Sequence, residues 1–229
     1  MAHWEHRDEP AWRACRFGQP YAKGLRRLRE EVLAKTDFDP AVLWQWGTTQ
    51  AMAVLRMLQA VERRFGKAGQ ETAAEALREV GLDVGRQILQ DAAIPEDLPP
   101  ITFISFYTTI INRIVYASLE APRVKSDTEA DFDILWCPHQ DTYGAFDCRV
   151  QRYFVQGMID AAEEKFPGLG FQARFDSTIP AGAPACHFTV WRGNADAARE
   201  WAAYTRKLDT KALEMAQDEG HRGGNRARE

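Results

Sequence analysis

The stretch FQARFDSTIPAGAPACHFTVW, residues 171–191, decides the fold class of this 229-residue chain. Apolar and polar side chains alternate on both sides of a turn-rich connector at residues 180–184, and a period of two is typical of strands that bury one face. The connector has the length of a hairpin loop, so the predicted strands at 171–179 and 185–191 should pair with each other. The C-terminal half is therefore predicted to contain an antiparallel sheet.

A further strand is predicted before this hairpin. In residues 132–137 the side chains again alternate, and Pro138 ends the pattern. Apolar side chains then recur at three- and four-residue intervals from about residue 141 to residue 166, which predicts a helix between the strands. Residues 123–130 are polar and are predicted to form a loop.

The N-terminal half has the patterns of helices. Amphipathic periodicity predicts three of them, over residues 20–34, about 40–65 and from about 70 onward, and an apolar run predicts a buried helix at about 103–119. These elements predict an α+β fold in which a helical N-terminal half packs on an antiparallel sheet formed mainly by the C-terminal half. One domain is expected over residues 1–229, with a helical half (1–121), a strand–helix–hairpin–helix half (122–219) and a frayed tail (220–229).

Two glycines lie four residues apart in the third predicted helix, Gly81 and Gly85. Glycine costs about 1 kcal/mol relative to alanine inside a helix, so a pair on one face indicates that another backbone approaches closely. Tight helix packing is the favoured explanation, and contact with a ligand is the alternative.

Composition excludes several classes of partner. The net charge of −4 gives no broad cationic field, so nucleic acid is not an expected partner. The apolar run at 101–119 contains Asn112 and Arg113, which argues against a membrane span, and charged residues near Met1 argue against an export signal. Four cysteines are too few for a disulfide scaffold. A cytoplasmic protein with a small-molecule substrate and no cofactor is expected, and formation of a homo-oligomer is left open.

Reactive side chains cluster in the C-terminal half. Three of the four cysteines and two of the five histidines lie between Cys137 and His187, whereas common nucleotide-binding, serine-hydrolase and zinc-finger motifs are absent. His139 follows Cys137 closely enough to share the proton of its thiol, which would make the sulfur a nucleophile. Burial as a plain core residue is the alternative for each cysteine.

A metal site is the weaker hypothesis. Cys137, Cys148 and Cys186, with His139, could supply zinc ligands, but the spacings of eleven and thirty-eight residues match no close-set zinc pair. Neighbouring residues of a strand point to opposite faces, so Cys186 and His187 should not face one pocket unless a bulge intervenes.

Three segments together resemble the L-2-amino-thiazoline-4-carboxylic acid hydrolase family: Trp136-Cys137, the run from Ala145 to Cys148, and the run from Asp176 to Gly182 that leads to Cys186. The resemblance implies a hydrolase that opens a cyclic C–N bond in a thiazoline, amidine or lactam-like ring. The same layout is distantly similar to vinyl reductase-type ligand-binding domains, some of which hold zinc. That similarity implies the alternative of a non-catalytic small-molecule-binding or sensor domain.

Specific residues follow as candidates. Cys137, Cys148 and His139 are the catalytic candidates, and Asp141, Asp147 or Asp176 could orient the histidine. Tyr107 and Tyr116 are candidate aromatic walls, and the candidate substrate-binding residues are Trp136, Phe146, Asp176, Thr178, Cys186 and His187. Gln151 and His187 depart from the family, which often has aspartate at both positions, so the substrate is expected to differ from the thiazoline.

Overall fold

The computed structural model describes residues 7–35, 37–193 and 195–226. The regular elements, in chain order, are a 3-10 turn (Pro10–Ala14), α1 (Ala22–Arg27) with a π-helical turn (Leu28–Val32), α2 (Ala41–Gln90), α3 (Pro100–Ile110) with a π-helical turn (Ile111–Val115), β1 (Leu119–Ser126), β2 (Glu129–Trp136), α4 (Arg149–Lys165), β3 (Phe171–Ser177), a 3-10 turn (Ile179–Ala181), β4 (Cys186–Arg192) and α5 (Ala195–Arg226). The predicted α+β class is confirmed, with helices in the N-terminal half and the sheet in the C-terminal half.

The four strands are ordered β1-β2-β4-β3, and each neighbouring pair is antiparallel. β3 and β4 form the predicted hairpin. In the central pair, Phe132 lies opposite Phe188 and their rings stack at 4.8 Å, while Ile134 lies opposite Cys186. Because alternate residues share a face, these side chains all point to the inner, buried side of the sheet.

Helices α3 and α4 pack over that inner face and close the main hydrophobic core. Tyr107 of α3 is buried, and its hydroxyl donates to the backbone oxygen of Met158 in α4 at 2.9 Å. This contact joins the two helices above the sheet. Among the described residues, no helix combines the length and the apolar character needed to cross a bilayer.

Helix α2 is broken at one residue. Gly66 has φ 61 and ψ −142, a backbone conformation that favours glycine, and it separates a segment at 41–65 from a segment at 67–90. The break that the sequence predicts between two helices is confirmed. The second segment resumes directly after Gly66, however, and not at residue 70.

The second segment of α2 packs closely on α4. A Cβ atom added to Gly81 would lie 2.1 Å from the backbone oxygen of Phe154, and one added to Gly85 would lie 2.7 Å from the Cβ of Ala161. Across the same contact, a Cβ atom on Gly157 would lie 1.9 Å from the backbone oxygen of Arg78. These glycines therefore serve close helix packing, as favoured from the sequence.

Strand β1 occupies the first half of the segment that was predicted to be a loop, and β2 begins within its second half. β1 forms one edge of the sheet, with register shifts at both of its ends. Its two basic side chains belong to the outer face, where Arg123 bonds to Asp133 at 2.7 Å and Lys125 bonds to Asp131. The polar composition that suggested a loop is therefore that of an edge strand whose outer face bears ion pairs.

Two helix boundaries also differ from the prediction. Residues 141–148 form turns, and α4 begins only at Arg149, so Phe146 lies outside the helix and Cys148 is its N-cap residue. The turn is stabilised because the backbone N–H of Gly144 donates to Asp147 Oδ2 at 2.6 Å. At the other end of the chain, α5 continues to Arg226 across most of the predicted tail, and residues 227–229 lie outside the described residues.

Candidate functional site

The three cysteines of the C-terminal half line one cavity. It lies between α3, the start of α4 and the inner face of the sheet. Its volume is about 80 Å³, or about 880 Å³ when the space open to solvent is included. Cys137 follows the last residue of β2, Cys148 precedes α4, and Cys186 begins β4. The thiols come together because β2 and β4 are neighbours, with Ile134 opposite Cys186, and because α4 starts above them.

The rest of the cavity wall is mostly apolar. Among the described residues that line it, none is Asp, Glu, Lys, Arg or His. Besides the thiols, the polar lining residues are Tyr107, Thr108, Asn112, Tyr116, Ser118, Gln151 and Thr178. A ligand that carried a charge would lose its hydration in this cavity without gaining an ionic partner, so the site favours an uncharged molecule.

The turn between β3 and β4 brings Thr178 and Cys186 to the cavity. Gly182 adopts φ 93, and the Thr178 carbonyl accepts the N–H groups of Ala181 and Ala183 at 3.0 and 3.2 Å. The N–H of Ile179 donates to Cys186 Sγ at 3.2 Å. The segment that carries the family resemblance therefore folds onto the third cysteine.

The thiols of the cavity are protonated at neutral pH. Burial raises the pKa of Cys148 to about 12, and the nearby Cys186 and Cys137 add to this effect. Burial also raises the pKa of Cys137, although the backbone N–H of His139 acts in the opposite direction, and it raises the pKa of Cys186. Because the thiolate is the nucleophile, these sulfurs are not activated as they stand.

His139 does not pair with a cysteine through its ring. The imidazole lines a neighbouring cleft and stacks on Tyr143 with the ring centres 4.7 Å apart. Burial lowers the pKa of His139, so its ring is neutral at neutral pH, and Nδ1 is buried without a hydrogen-bond partner in the described structure. The sequence-based pair of Cys137 and His139 is thus close in the backbone, but no described hydrogen bond joins the two side chains.

The other predicted site residues divide among three places. Thr178 lies in the cavity with the cysteines, and Trp136 lies in the cleft with His139. Phe146 and Asp176 line a separate depression, which also contacts Cys148 and Thr178. This depression, unlike the cavity, contains charged side chains.

His187 lies outside all of these spaces. It is on the outer face of the sheet, where Nδ1 is 2.7 Å from Asp133 Oδ1, and it does not line the cysteine cavity with Cys186. The alternation of a regular strand separates the two side chains, and no bulge in the β2–β4 register brings them together.

None of the three candidate aspartates bonds to the His139 ring among the described residues. Asp147 accepts from Gly144 and Arg149, and Asp176 accepts from Arg174 at 2.6 Å and from Thr189 at 3.1 Å. These carboxylates are used by the turn before α4 and by the outer face of the sheet.

Sequence reasoning missed four polar residues of the cavity wall, Thr108, Asn112, Ser118 and Gln151. In the sequence, Asn112 was used only as an argument against a membrane span. An amide within an otherwise apolar helix is a signal that could have identified it, because a buried polar group needs a specific partner. In the structure the Asn112 side-chain amide donates to the buried carboxylate of Glu120.

The cysteine cavity does not have the arrangement of a metal site. Within the part of the chain that the structure describes, no group of three or more His, Cys, Asp or Glu residues is placed to hold a metal ion. The three thiols share a cavity without converging on one point, and the zinc hypothesis gains no support from their positions.

The thiol pKa values can be measured through alkylation. We expect iodoacetamide to modify Cys148 with a rate that rises across the whole interval from about pH 7 to about pH 10, because its thiolate fraction keeps growing there. Free cysteine, whose pKa is about 8.5, should level off within that interval. Peptide mass spectrometry resolves the sites, and urea-unfolded chain is the control. A plateau below about pH 8 at any of the three cysteines would reveal an activated thiolate.

No known family model matches the chain. A search of curated proteins finds an uncharacterized protein from Archaeoglobus fulgidus that is 49% identical over 216 residues, a match that covers 92% of this chain and 95% of the archaeal protein. The chain belongs to the same family as that archaeal protein.

Proposed function

We propose that the chain binds a small, uncharged and mostly apolar organic molecule in the three-cysteine cavity. The observation that carries this proposal is the composition of the wall, in which three protonated thiols and apolar side chains meet and no described lining residue is charged. Enclosed apolar spaces with a few polar groups are typical of small-molecule sites. Thiols remain free in a reducing compartment, so a cytoplasmic location suits this function.

Hydrolysis of a ring C–N bond is the second candidate. It is favoured by the position of three sulfurs around one cavity and by the backbone N–H of His139, which favours the thiolate of Cys137. It ranks second because nucleophilic attack needs a proton acceptor, and the His139 ring lies in the neighbouring cleft. The carboxylate of L-2-amino-thiazoline-4-carboxylic acid would also lack a cationic partner among the described residues of the cavity wall.

Binding can be tested with naphthalene and with 2-naphthoate, which has the same ring system and a negative charge. We expect equilibrium dialysis to detect one naphthalene per chain and to detect at least about tenfold weaker binding of 2-naphthoate, since its charge finds no partner. The variant Ala173→Leu adds bulk to the cavity wall and should weaken naphthalene binding at least about tenfold. Gln172→Leu, on the opposite face of the same strand, is the matched control.

Two results would contradict the binding proposal. One is equal affinity for the neutral and the anionic probe, and the other is naphthalene binding that Ala173→Leu and Gln172→Leu change equally. The hydrolase candidate has a separate readout: ring opening of a thiazoline or lactam that is lost in Cys137→Ser or Cys148→Ser would place hydrolysis first.

A further inference from the structure

A second space lies directly beside the cysteine cavity. This outer cleft is bounded by the first segment of α2, the end of β2 and α4. Its volume is about 600 Å³, or about 1400 Å³ when the space open to solvent is included. Its wall includes Trp44 and Trp136, which are 47% and 38% exposed, together with the stacked pair of His139 and Tyr143. Among the described lining residues, the outer cleft also has no Asp, Glu, Lys or Arg.

Tyr116 and Gln151 form the partition between the cavity and the outer cleft, because both residues line both spaces. The Tyr116 hydroxyl donates to the backbone oxygen of Gln151 at 3.1 Å, which fixes the two residues to each other. The side-chain Nε2 of Gln151 donates to the Tyr143 hydroxyl at 3.4 Å. The amide nitrogen of Gln151 is therefore hydrogen-bonded to a residue of the outer cleft.

Three buried polar atoms around the outer cleft have no hydrogen-bond partner among the described residues. They are Gln151 Oε1, His139 Nδ1 and Thr48 Oγ1. An unsatisfied buried polar atom is unfavourable, and most such atoms in folded proteins are paired. The three atoms belong to residues that line one concave wall, so a small rotation of each side chain toward the outer cleft would let a bound molecule supply the missing hydrogen bonds.

We propose that the cavity and the outer cleft form one two-lobed site for an elongated, planar, uncharged heterocycle. Its apolar end enters the cysteine cavity, and its hydrogen-bonding ring lies in the outer cleft between the tryptophans. A ring N–H donates to Gln151 Oε1 at the partition. This inference rests on the proposed function, because it assigns the ligand class of the same site.

The position of Gln151 supports this choice of ligand. A carboxylate at residue 151 would add a charge at the centre of two charge-free spaces and would favour a cationic ligand. Glutamine gives the same hydrogen-bond acceptor without the charge. Glutamine at position 151 therefore favours neutral ligands that carry a hydrogen-bond donor.

The test uses 2-phenylbenzimidazole, which has an apolar phenyl end and a ring N–H, at a pH where it is uncharged. Calorimetry should show that the chain binds it more tightly than naphthalene. Gln151→Leu keeps the bulk of the side chain but removes the acceptor, and it should weaken this binding about fivefold, the usual effect of one hydrogen bond. The N-methylated probe lacks the donor but meets the same wall, so the ratio of the affinities for 2-phenylbenzimidazole and for its N-methylated form should fall about fivefold in Gln151→Leu.

The outer lobe is tested through its tryptophans. Trp44→Ala should weaken binding of 2-phenylbenzimidazole and leave naphthalene binding unchanged. Trp46→Ala is the matched control, since Trp46 lies on the same helix, is 67% exposed and does not line the cleft. The anionic 5-sulfonate of the probe should bind at least about tenfold more weakly.

The possible failures are distinguishable. If naphthalene binds but Gln151→Leu and Trp44→Ala leave the affinity for 2-phenylbenzimidazole unchanged, the two-lobed site is wrong and the cavity proposal stands. If neither probe binds the folded chain, both proposals are overturned.

Discussion

Gly157→Ala is expected to lower the free energy of unfolding by about 3 kcal/mol, at the upper end of the usual cost of overpacking. The added Cβ would lie 1.9 Å from the backbone oxygen of Arg78 and 2.6 Å from the backbone nitrogen of Leu82. Backbone atoms inside a helix cannot rotate away as a side chain does, so α2 and α4 must separate. Urea unfolding followed by circular dichroism measures the loss.

The control for this substitution is Gly47→Ala, in the first segment of α2. A Cβ atom there has no neighbour within 4 Å, so the variant should gain up to about 1 kcal/mol from the helix propensity of alanine. The free energy of unfolding should therefore fall in Gly157→Ala and rise in Gly47→Ala. If Gly157→Ala were as stable as Gly47→Ala, the close packing of α2 on α4 would be wrong.

Glu62→Gln is expected to cost about 3–5 kcal/mol, the usual penalty for removing one partner of a buried ion pair. Glu62 of α2 is 0% exposed and Arg149 of α4 is 5% exposed. Their side chains form two hydrogen bonds, with Arg149 Nη2 2.6 Å from Glu62 Oε2 and Arg149 Nε 3.1 Å from Glu62 Oε1. Burial lowers the pKa of Arg149, and Glu62 with Asp147 raises it overall in the native chain. A guanidinium keeps its proton in proteins, so Glu62→Gln leaves a buried positive charge without its partner.

The exposed pair of Arg86 and Glu164 is the matched control, because it joins the same two helices with two hydrogen bonds of 2.9 Å. Glu164→Gln should barely move the urea midpoint, since solvent already screens that pair. The double variant Glu62→Met with Arg149→Met should recover most of the stability that Glu62→Gln loses, because it leaves no buried charge. A double variant as unstable as Glu62→Gln would argue against this explanation.

The sheet was predictable where its residues alternate with a period of two. β2 and the β3–β4 hairpin have apolar inner faces, and the same alternation placed Cys186 and His187 on opposite sides. β1 escaped prediction because its ion pairs with β2 are contacts between strands, which the local sequence does not contain. Residues 141–148 were misassigned because Tyr143 and Phe146 have helical spacing although a turn holds them.

The sequence indicated that the three cysteines line the site, but it did not indicate that Tyr116 and Gln151 separate the cavity from the outer cleft. Cys137 and His139 are near in sequence, yet the turn in which the Gln140 N–H donates to the Cys137 carbonyl leaves the imidazole against Tyr143. The roles of Tyr116 and Gln151 depend on how α3 and α4 meet, which is a property of the tertiary fold. Gln151 was noticed only as a departure from a family pattern.

The form of β1 has a consequence for the behaviour of the chain in concentrated solution. A free strand edge offers backbone groups that a strand from another molecule can pair with, and such pairing starts aggregation. On β1, Pro122 has no N–H to offer, the register shifts at both ends bend the strand, and Arg123 and Lys125 bring charge to it. This edge of the sheet therefore discourages the addition of foreign strands.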